Sequence, residues 1–532
     1  MADAHLTVSQ RLAQATQAAA RLAGNTPATD TRIEDALCGA INPQRLIDNF
    51  AEAWRVSEAD ARRMLEDHGL GRVLVRLAQG APQTKGLDET LPALGRKSVL
   101  RLADGRISAR AWNPAFSEPV AAARSAHDSV RTSFSAFAAG AECDPLAVLY
   151  RDRPAAYAEK WLGTDAPRID AYLGTQFGAG GPRYLVNSGI GANEQFNYFV
   201  SALANARSAR RCTWLLANSP KEAAHLPSDA TVENTLFMEF SRSGITEETI
   251  KLHELTPRAM KRVVFANSGP LKTLAERDGN LLLELPSEVS GRYGRNKTPI
   301  LMAPMHVAGL DVRAYWSMIQ AACDAMDLSS PESLPSIMAR AIRLQQLSRG
   351  VNHIYLGTNH ALLRYSADEF CQYWNEGVNR DGNDITMSRY LGLPRDSHMN
   401  LEAILGTAER KLAIFVLATR REDAPLTHTL LSRSADAIEA AHMGLSPEEV
   451  DLVLCLANVK RCSEKMPTIL ITVDRMDLGT SAWLGQLWAD TTLVYSRLIG
   501  VDPGSNPEVK AVRTRAGQWL SDKCGAYSML EG

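Results

Sequence analysis

What most constrains the fold of this chain is a series of strand-sized apolar runs, each ending in a Gly-, Ser- or Asn-rich turn that leads into a helical pattern. They read RYLVNSGIGANEQF, CTWLLANS, NTLFMEFSRSGITEETI, KRVVFANSG and NLLLELPSEVSG. Strands alternating with helices build a parallel sheet covered by those helices. A second series opens near Asn352 with NHIYLGTNH, continues through KLAIFVLA from Lys411 and closes with PTILITVDRMD. The segment SSPESLP, near Ser329–Leu334, separates the two. Ahead of both, Met1 to about Val130 is rich in Ala, Arg, Leu and Glu at three-to-four spacing, as in SEADARRMLEDHGLGRVLVRLAQG. The expected class is α/β: a helical arm over 1–130, a first α/β unit over 131–330, a second over 331–505 and a helical tail over 506–532.

Composition narrows the function. The 532 residues carry 58 Lys+Arg against 60 Asp+Glu, a formal net charge of −2. Several domains are expected at this length, because single cores stop growing near ~250–300 residues. The balanced charge argues against a nucleic-acid partner, whose phosphates attract a net basic surface. The apolar runs fall far short of the ~20 residues of a membrane helix. The N-terminus, MADAHLTVSQRLAQATQAAARLAG, has no apolar block of signal-peptide length, so a cytoplasmic location is expected. The eight cysteines never form C-x-x-C, which points to reduced thiols. His306 and His353 lack carboxylate or His partners at i+3 or i+4, so no metal is expected. Walker, G-x-G-x-x-G and G-x-S-x-G motifs do not occur.

The most informative segment is NTLFMEFSRSGITEETI. A strand (Leu236–Phe240) runs into Ser241-Arg242-Ser243-Gly244-Ile245-Thr246 and then a helix opened by Glu247 and Glu248. Three hydroxyls and the free N–H groups of a helix N-terminus make a cradle for an anion, usually a phosphate. The competing reading is that Ser and Thr here only cap the helix.

SRSGITEET resembles the phosphosugar-binding loop of sugar isomerase (SIS) domains, and NTLF before it resembles the same region of the glucose-6-phosphate isomerase family. LVNSGIGANE, SEVSGRYG, GLPRDSHMNLEAILG and SRLIGVDPGSNPEVKAVR resemble further segments of that family in the same order, together covering roughly Arg183 to Arg513. The resemblance implies two tandem α/β/α sandwich (SIS) domains with parallel sheets, in a homodimer whose active site lies near the subunit interface. It implies an intramolecular oxidoreductase of glycolysis and gluconeogenesis that interconverts aldose and ketose phosphates through an enediolate, with no cofactor. A carboxylate must carry a proton between C1 and C2, a cation must face the developing enediolate oxygen, and an acid/base pair must open the ring.

Carried over by position, the resemblance gives Ser241, Ser243 and Thr246 to the phosphate, with Arg242 in place of a lysine whose backbone faces it. Arg292 matches the arginine over the enediolate. His398 matches the ring-opening histidine that reaches over from the neighbouring subunit. The glycine-rich turn reads Gly191-Ala192-Asn193 where the family has G-G-S, leaving Asn193 an amide to offer the phosphate. The family's base is a glutamate in M-E-S-N-G-K, and the corresponding stretch here is NEGVNRDGND. Ungapped, Arg380 takes the base position; shifted by one residue, Asp381 does, with Glu376 upstream. The ring-opening lysine is replaced by Arg513, a fixed cation rather than a proton shuttle; Lys510 lies one turn earlier, and Asn506 takes the place of a glutamine. Three readings remain: an aldose–ketose isomerase, an enzyme of the same scaffold acting on a modified or acidic sugar phosphate in a specialised pathway, and a non-catalytic phosphosugar-binding protein.

Overall fold

A computed structural model describes residues 57, 59, 98–101, 107–112, 120–138, 154–189, 195–206, 211–286, 293, 297–331, 333–379, 382–418, 447–473, 476–504 and 507–521. Most of the arm expected over 1–130 therefore lies outside the described residues. The hairpin strands β1 (Ser98–Arg101) and β2 (Ile107–Trp112) come first, then helices α1 (Val120–Ala138) and α2 (Pro154–Phe177). The first α/β unit follows as β3 (Tyr184–Ser188), α3 (Gln195–Asn205), β4 (Thr213–Leu216), the single turn α4 (Pro220–Ala223), β5 (Thr235–Phe240), α5 (Glu247–Leu255), β6 (Lys261–Phe265), α6 (Gly269–Arg277) and β7 (Leu281–Leu283). Helices α7 (Pro299–Ala308), α8 (Val312–Ala325) and α9 (Leu334–Arg349) lead onward. The second unit comprises β8 (His353–Thr358), α10 (Ala361–Val378), β9 (Thr386–Gly392), α11 (Ser397–Leu405), β10 (Lys411–Ala418), α12 (Pro447–Lys465), β11 (Thr468–Val473) and α13 (Leu478–Ile499), before α14 (Pro507–Ser521).

The first sheet is wholly parallel in the order β4-β3-β5-β6-β7. Its central strand, TLFMEF, is buried along its whole length because both faces carry helices. Leu236, Met238 and Phe240 pack with Met302, Tyr315 and Trp316 of α7 and α8. Phe237, on the opposite face, packs with Val186 and with Leu252 of α5. Each such side chain contributes about 1.5–3 kcal/mol by leaving water.

The second sheet runs β1-β2-β11-β10-β8-β9. Its strands β8 to β11 are parallel, as the two-unit reading expects. At its edge β2 pairs antiparallel with β11, Ala109 opposite Ile471. This hairpin departs from the all-helical arm. ISARAW alternates apolar and polar residues over its first five positions, and SVLR has only two apolar residues, signals easily lost beside a long helical pattern. Strand β9, TMSRYLG, is likewise too mixed to stand out as an apolar run. Helix α1 runs across residue 130 and places Ala126, Val130 and Phe134 in the core of the second unit.

The two cores meet along α13, which is buried over almost its entire length. It starts where Asp477 Oδ1 accepts from the Thr480 N–H at 2.8 Å and stops at Gly500, which adopts the left-handed conformation. Ala482 joins the first core, and Trp488 and Tyr495 the second. No described helix is long and apolar enough to cross a membrane.

Candidate active site

The loop after β5 rests on the loop after β6, backbone against backbone. Gly244 has φ 65°, and a Cβ there would lie 1.8 Å from the Ser268 carbonyl oxygen. Only glycine accommodates both that conformation and that approach. Loop carbonyls are used internally: Ser241 O accepts from Gly244 N–H at 2.8 Å, Arg242 O from Asn267 N–H at 3.0 Å, and Gly244 O from Leu271 N–H at 3.0 Å. Ser268 Oγ donates to Ser243 O at 3.2 Å. Hydroxyls and N–H groups are what the loop presents to a ligand, a composition suited to an anion.

Ser241 and Thr246 are brought together and Ser243 is not. Ser241 is buried at the end of β5, its Oγ 2.7 Å from Thr246 Oγ1. Thr246 occupies the N-cap position of α5 and makes no side-chain cap hydrogen bond. The Thr246 hydroxyl therefore does not cap the helix, while Ser241 Oγ accepts from the Thr246 N–H at 3.4 Å. Arg242 and Ser243 are exposed at the tip of the loop.

Beneath the loop lies a buried charged cluster that the sequence reading missed. Glu239, two residues before Ser241, places Oε2 2.6 Å from His253 Nδ1 of α5. The other imidazole nitrogen lies 3.2 Å from Asp278 Oδ2. Arg262 of β6 donates from Nε to Glu239 Oε1 at 3.3 Å and from its terminal nitrogens to the carbonyls of His253, Pro257 and Met260. Glu239, His253 and Arg262 are all fully buried. Arg277 donates twice to Asp278 and holds its carboxyl well below the usual carboxylate range, with His253 adding to the effect. The cluster pins α5, and so the head of that helix, to the two strands that carry the loops. Its signal was a lone Glu in TLFMEF and a lone Arg in KRVVF, charges inside strands that a parallel sheet buries on both faces.

A second corner forms where Tyr293 reaches the end of α10. The Tyr293 ring lies 5.4 Å from that of Tyr373, and its hydroxyl is so close to Gly377 that a Cβ there would lie 2.3 Å away. Tyr293 directly follows Arg292 in the sequence, and Gly377 directly follows Glu376, so the contact joins the sequence neighbours of two candidate residues. Glu376 is half-buried and accepts from Gln372 Nε2 at 2.9 Å. The turn beyond it is held by Asn383, which donates to Val378 O and accepts from Gln346 Nε2, both at 2.7 Å.

His398 lies elsewhere. It is exposed near the start of α11, beyond the carboxyl end of β9, whereas Glu376 sits in the last turn of α10, which leads into the amino end of β9. The seven residues of β9 separate the two by about 20 Å, at ~3.3 Å per residue. Gly191, Asn193, Arg292, Asp381 and Asn506 lie outside the described residues, as does the side chain of Arg513 on α14.

No family model matches the chain. A sequence named "Probable glucose-6-phosphate isomerase" from Natronomonas pharaonis is 24% identical over 348 residues, 62% of this chain and 77% of that protein. Glucose-6-phosphate isomerases of Bacillus cytotoxicus and Carboxydothermus hydrogenoformans are 24% and 25% identical over 46% and 38% of this chain. The chain spans about half the length of these last two, 54% and 47%. Among solved structures, a hypothetical protein from Thermus thermophilus superposes with a TM-score of 0.58 at 20% identity, over 76% of this chain and 97% of that one. A glucose-6-phosphate isomerase from Chlamydia trachomatis does so with a TM-score of 0.56 at 13% identity, over 71% and 77%. By sequence this chain is a distant homologue of glucose-6-phosphate isomerases, and it shares their two-sheet α/β fold.

Proposed function

We propose that the protein is a sugar-phosphate isomerase that interconverts an aldose and a ketose phosphate through an enediolate. The observation that carries this reading is the Ser241–Thr246 loop: paired hydroxyls at the head of a helix whose first turn has no side-chain cap. It binds the phosphoryl group, with Ser243 and the Arg242 backbone at its rim and Asn193 and Gly191 of the glycine-rich turn facing it. Anchoring the phosphoryl supplies orientation, so that the reacting carbons meet a fixed base.

The base is a carboxylate of the corner at the end of α10, Asp381 or Glu376. It takes the proton from one carbon and returns it to the neighbour, while Arg292 stabilises the charge on the enediolate oxygen. The packing of Tyr293 on Gly377 supports this pairing, since it holds the neighbours of Arg292 and Glu376 together. Arg513 and Asn506 bind the ring end of the sugar. His398 belongs to the site of a second subunit, because within one chain β9 keeps it far from Glu376. The functional unit on this reading is a homodimer.

The test is conversion of glucose 6-phosphate and fructose 6-phosphate, followed with exchange of solvent deuterium into C2. Turnover with exchange is expected, and Asp381→Asn or Glu376→Gln should reduce it by on the order of 100-fold or more. Stabilisation by a sugar phosphate without turnover or exchange would mean a binding protein instead.

A further inference from the structure

Lys297 lies just ahead of α7, only 3% exposed, and makes no ion pair or hydrogen bond among the described residues. A buried lysine with no counter-charge among the described residues gains from an anionic or polar ligand oxygen within its reach. The direction of α7 shows where that partner would come from. At its far end Cys212 Sγ lies 3.9 Å from Val307 O, and a Cβ on Gly309 would lie 2.8 Å from the Arg211 side chain. Arg211 and Cys212 immediately precede β4, so α7 ends at the amino edge of the first sheet. Ten helical residues rise about 15 Å, matching the five residues of β3 at about 16 Å. The head of α7, with Lys297, therefore stands at the carboxyl edge, the same edge as the Ser241–Thr246 loop.

A second, independent observation points the same way. Asn187 is 2% exposed, and neither its amide oxygen nor its amide nitrogen has a hydrogen-bond partner. Leu185 packs with Met302 and Met305 of α7, and Asn187, two residues further along β3, faces the same side. It lies beside Met238 of β5 in register, about 4.8 Å from the strand that ends in Ser241. A buried lysine and a buried amide without a hydrogen-bond partner thus both stand at the edge where a bound phosphoryl group would hold the rest of its substrate.

We propose that Lys297 is a further substrate-binding residue, its ammonium and the Asn187 amide holding an oxygen of the sugar while the phosphoryl group sits on the Ser241–Thr246 loop. This rests on the sugar-phosphate reading. As the enediolate forms, charge on a nearby sugar oxygen strengthens the contact, so Lys297 acts in the transition state as well as in binding.

The test compares wild type with Lys297→Met and Asn187→Leu, measuring affinity for inorganic phosphate and for glucose 6-phosphate by calorimetry, alongside the ligand-free Tm. Both variants should bind inorganic phosphate within about two-fold of wild type and lose at least about tenfold of the preference for glucose 6-phosphate over inorganic phosphate. Lys297→Met should keep or raise Tm, since a buried charge kept for the ligand is gone. A lower Tm with unchanged sugar-phosphate preference makes Lys297 structural and overturns the proposal. So does a tenfold loss of inorganic phosphate binding, which makes it a phosphoryl ligand. If wild type binds glucose 6-phosphate no better than phosphate, the proposal also falls. If wild type binds the sugar phosphate preferentially but does not isomerise it, the isomerase reading alone fails, and the affinity ratio still decides the role of Lys297.

Discussion

Ser241 Oγ and Thr246 Oγ1 lie 2.7 Å apart, across a loop that gives its own carbonyls to neighbouring backbone. Thr246 turns its hydroxyl to Ser241 instead of capping α5, so the first turn of that helix keeps N–H groups for a ligand. Ser241→Ala and Thr246→Val should each weaken binding of inorganic phosphate by about tenfold, the worth of one hydrogen bond to a charged group. Calorimetric titration checks this, and an unchanged Kd in both variants removes the loop from the site.

Gly244 is the residue on which that loop depends. Its left-handed φ of 65° costs a non-glycine residue about 1–3 kcal/mol, and overlap with the Ser268 carbonyl adds a similar amount. Gly244→Ala should lower stability by about 2–5 kcal/mol in urea unfolding and abolish phosphate binding. A stable variant that binds normally would show that the two loops can separate without consequence.

Removing Arg262 takes the permanent cation from the buried carboxylate of Glu239 and leaves it His253 alone. Arg262→Met should cost about 3–5 kcal/mol. Adding Glu239→Gln should recover part of that loss, because the remaining group is then neutral. A double-mutant cycle in urea measures the coupling, and strict additivity would mean that the pair does not interact.

The strands were legible in the sequence where burial on both faces leaves an unbroken apolar run. KLAIFVLA and TILITV coincide with β10 and β11 residue for residue. The strand–loop–helix geometry around Ser241–Thr246 was legible because a strand, a glycine with positive φ and a helix head must follow one another within a few residues. The edge hairpin Ser98–Arg101 and Ile107–Trp112 was not, because its pairing with β11 joins residues more than 350 apart, and no local pattern records such a partner. The Glu239–His253–Arg262 cluster escaped for the same reason, each member reading as an ordinary charge until the sheet brings them together. Lys297 and Asn187 look unremarkable in sequence, since what sets them apart is their burial at the carboxyl edge of the first sheet.

His353 gives the fold a pH dependence of known sign. Its ring nitrogens lie 2.6 Å from Thr386 Oγ1 and 2.7 Å from Ser388 Oγ, and burial, with the charge of Lys411, pushes its pKa below the usual histidine value. The unfolded chain takes up this proton near pH ~6.5 and the folded chain only at lower pH. Stability is thus fully present above ~6.5 and declines as pH falls through the window beneath it. Urea midpoints at pH 7.5 and 5.5 should drop more for wild type than for His353→Gln, and equal drops would exclude this histidine as the cause.

The contact between Tyr293 and Gly377 yields a test that separates geometry from binding. A methyl group at residue 377 would sit 2.3 Å from the Tyr293 hydroxyl and 3.1 Å from Thr492 Cγ2. Gly377→Ala must push Tyr293 outward, and on the proposed reading this disturbs the catalytic role of its sequence neighbour Arg292. A displacement of about 1 Å at a reacting centre costs on the order of 100-fold in rate, so kcat should fall by roughly that factor while inorganic phosphate still binds on the Ser241–Thr246 loop. Removing the hydroxyl relieves the clash: Tyr293→Phe combined with Gly377→Ala should regain much of the lost kcat, although each change alone is a departure from wild type. Rescue in the double variant assigns the loss to this one contact. A double variant no better than Gly377→Ala would instead place the damage at Thr492 and detach the Tyr293 corner from catalysis.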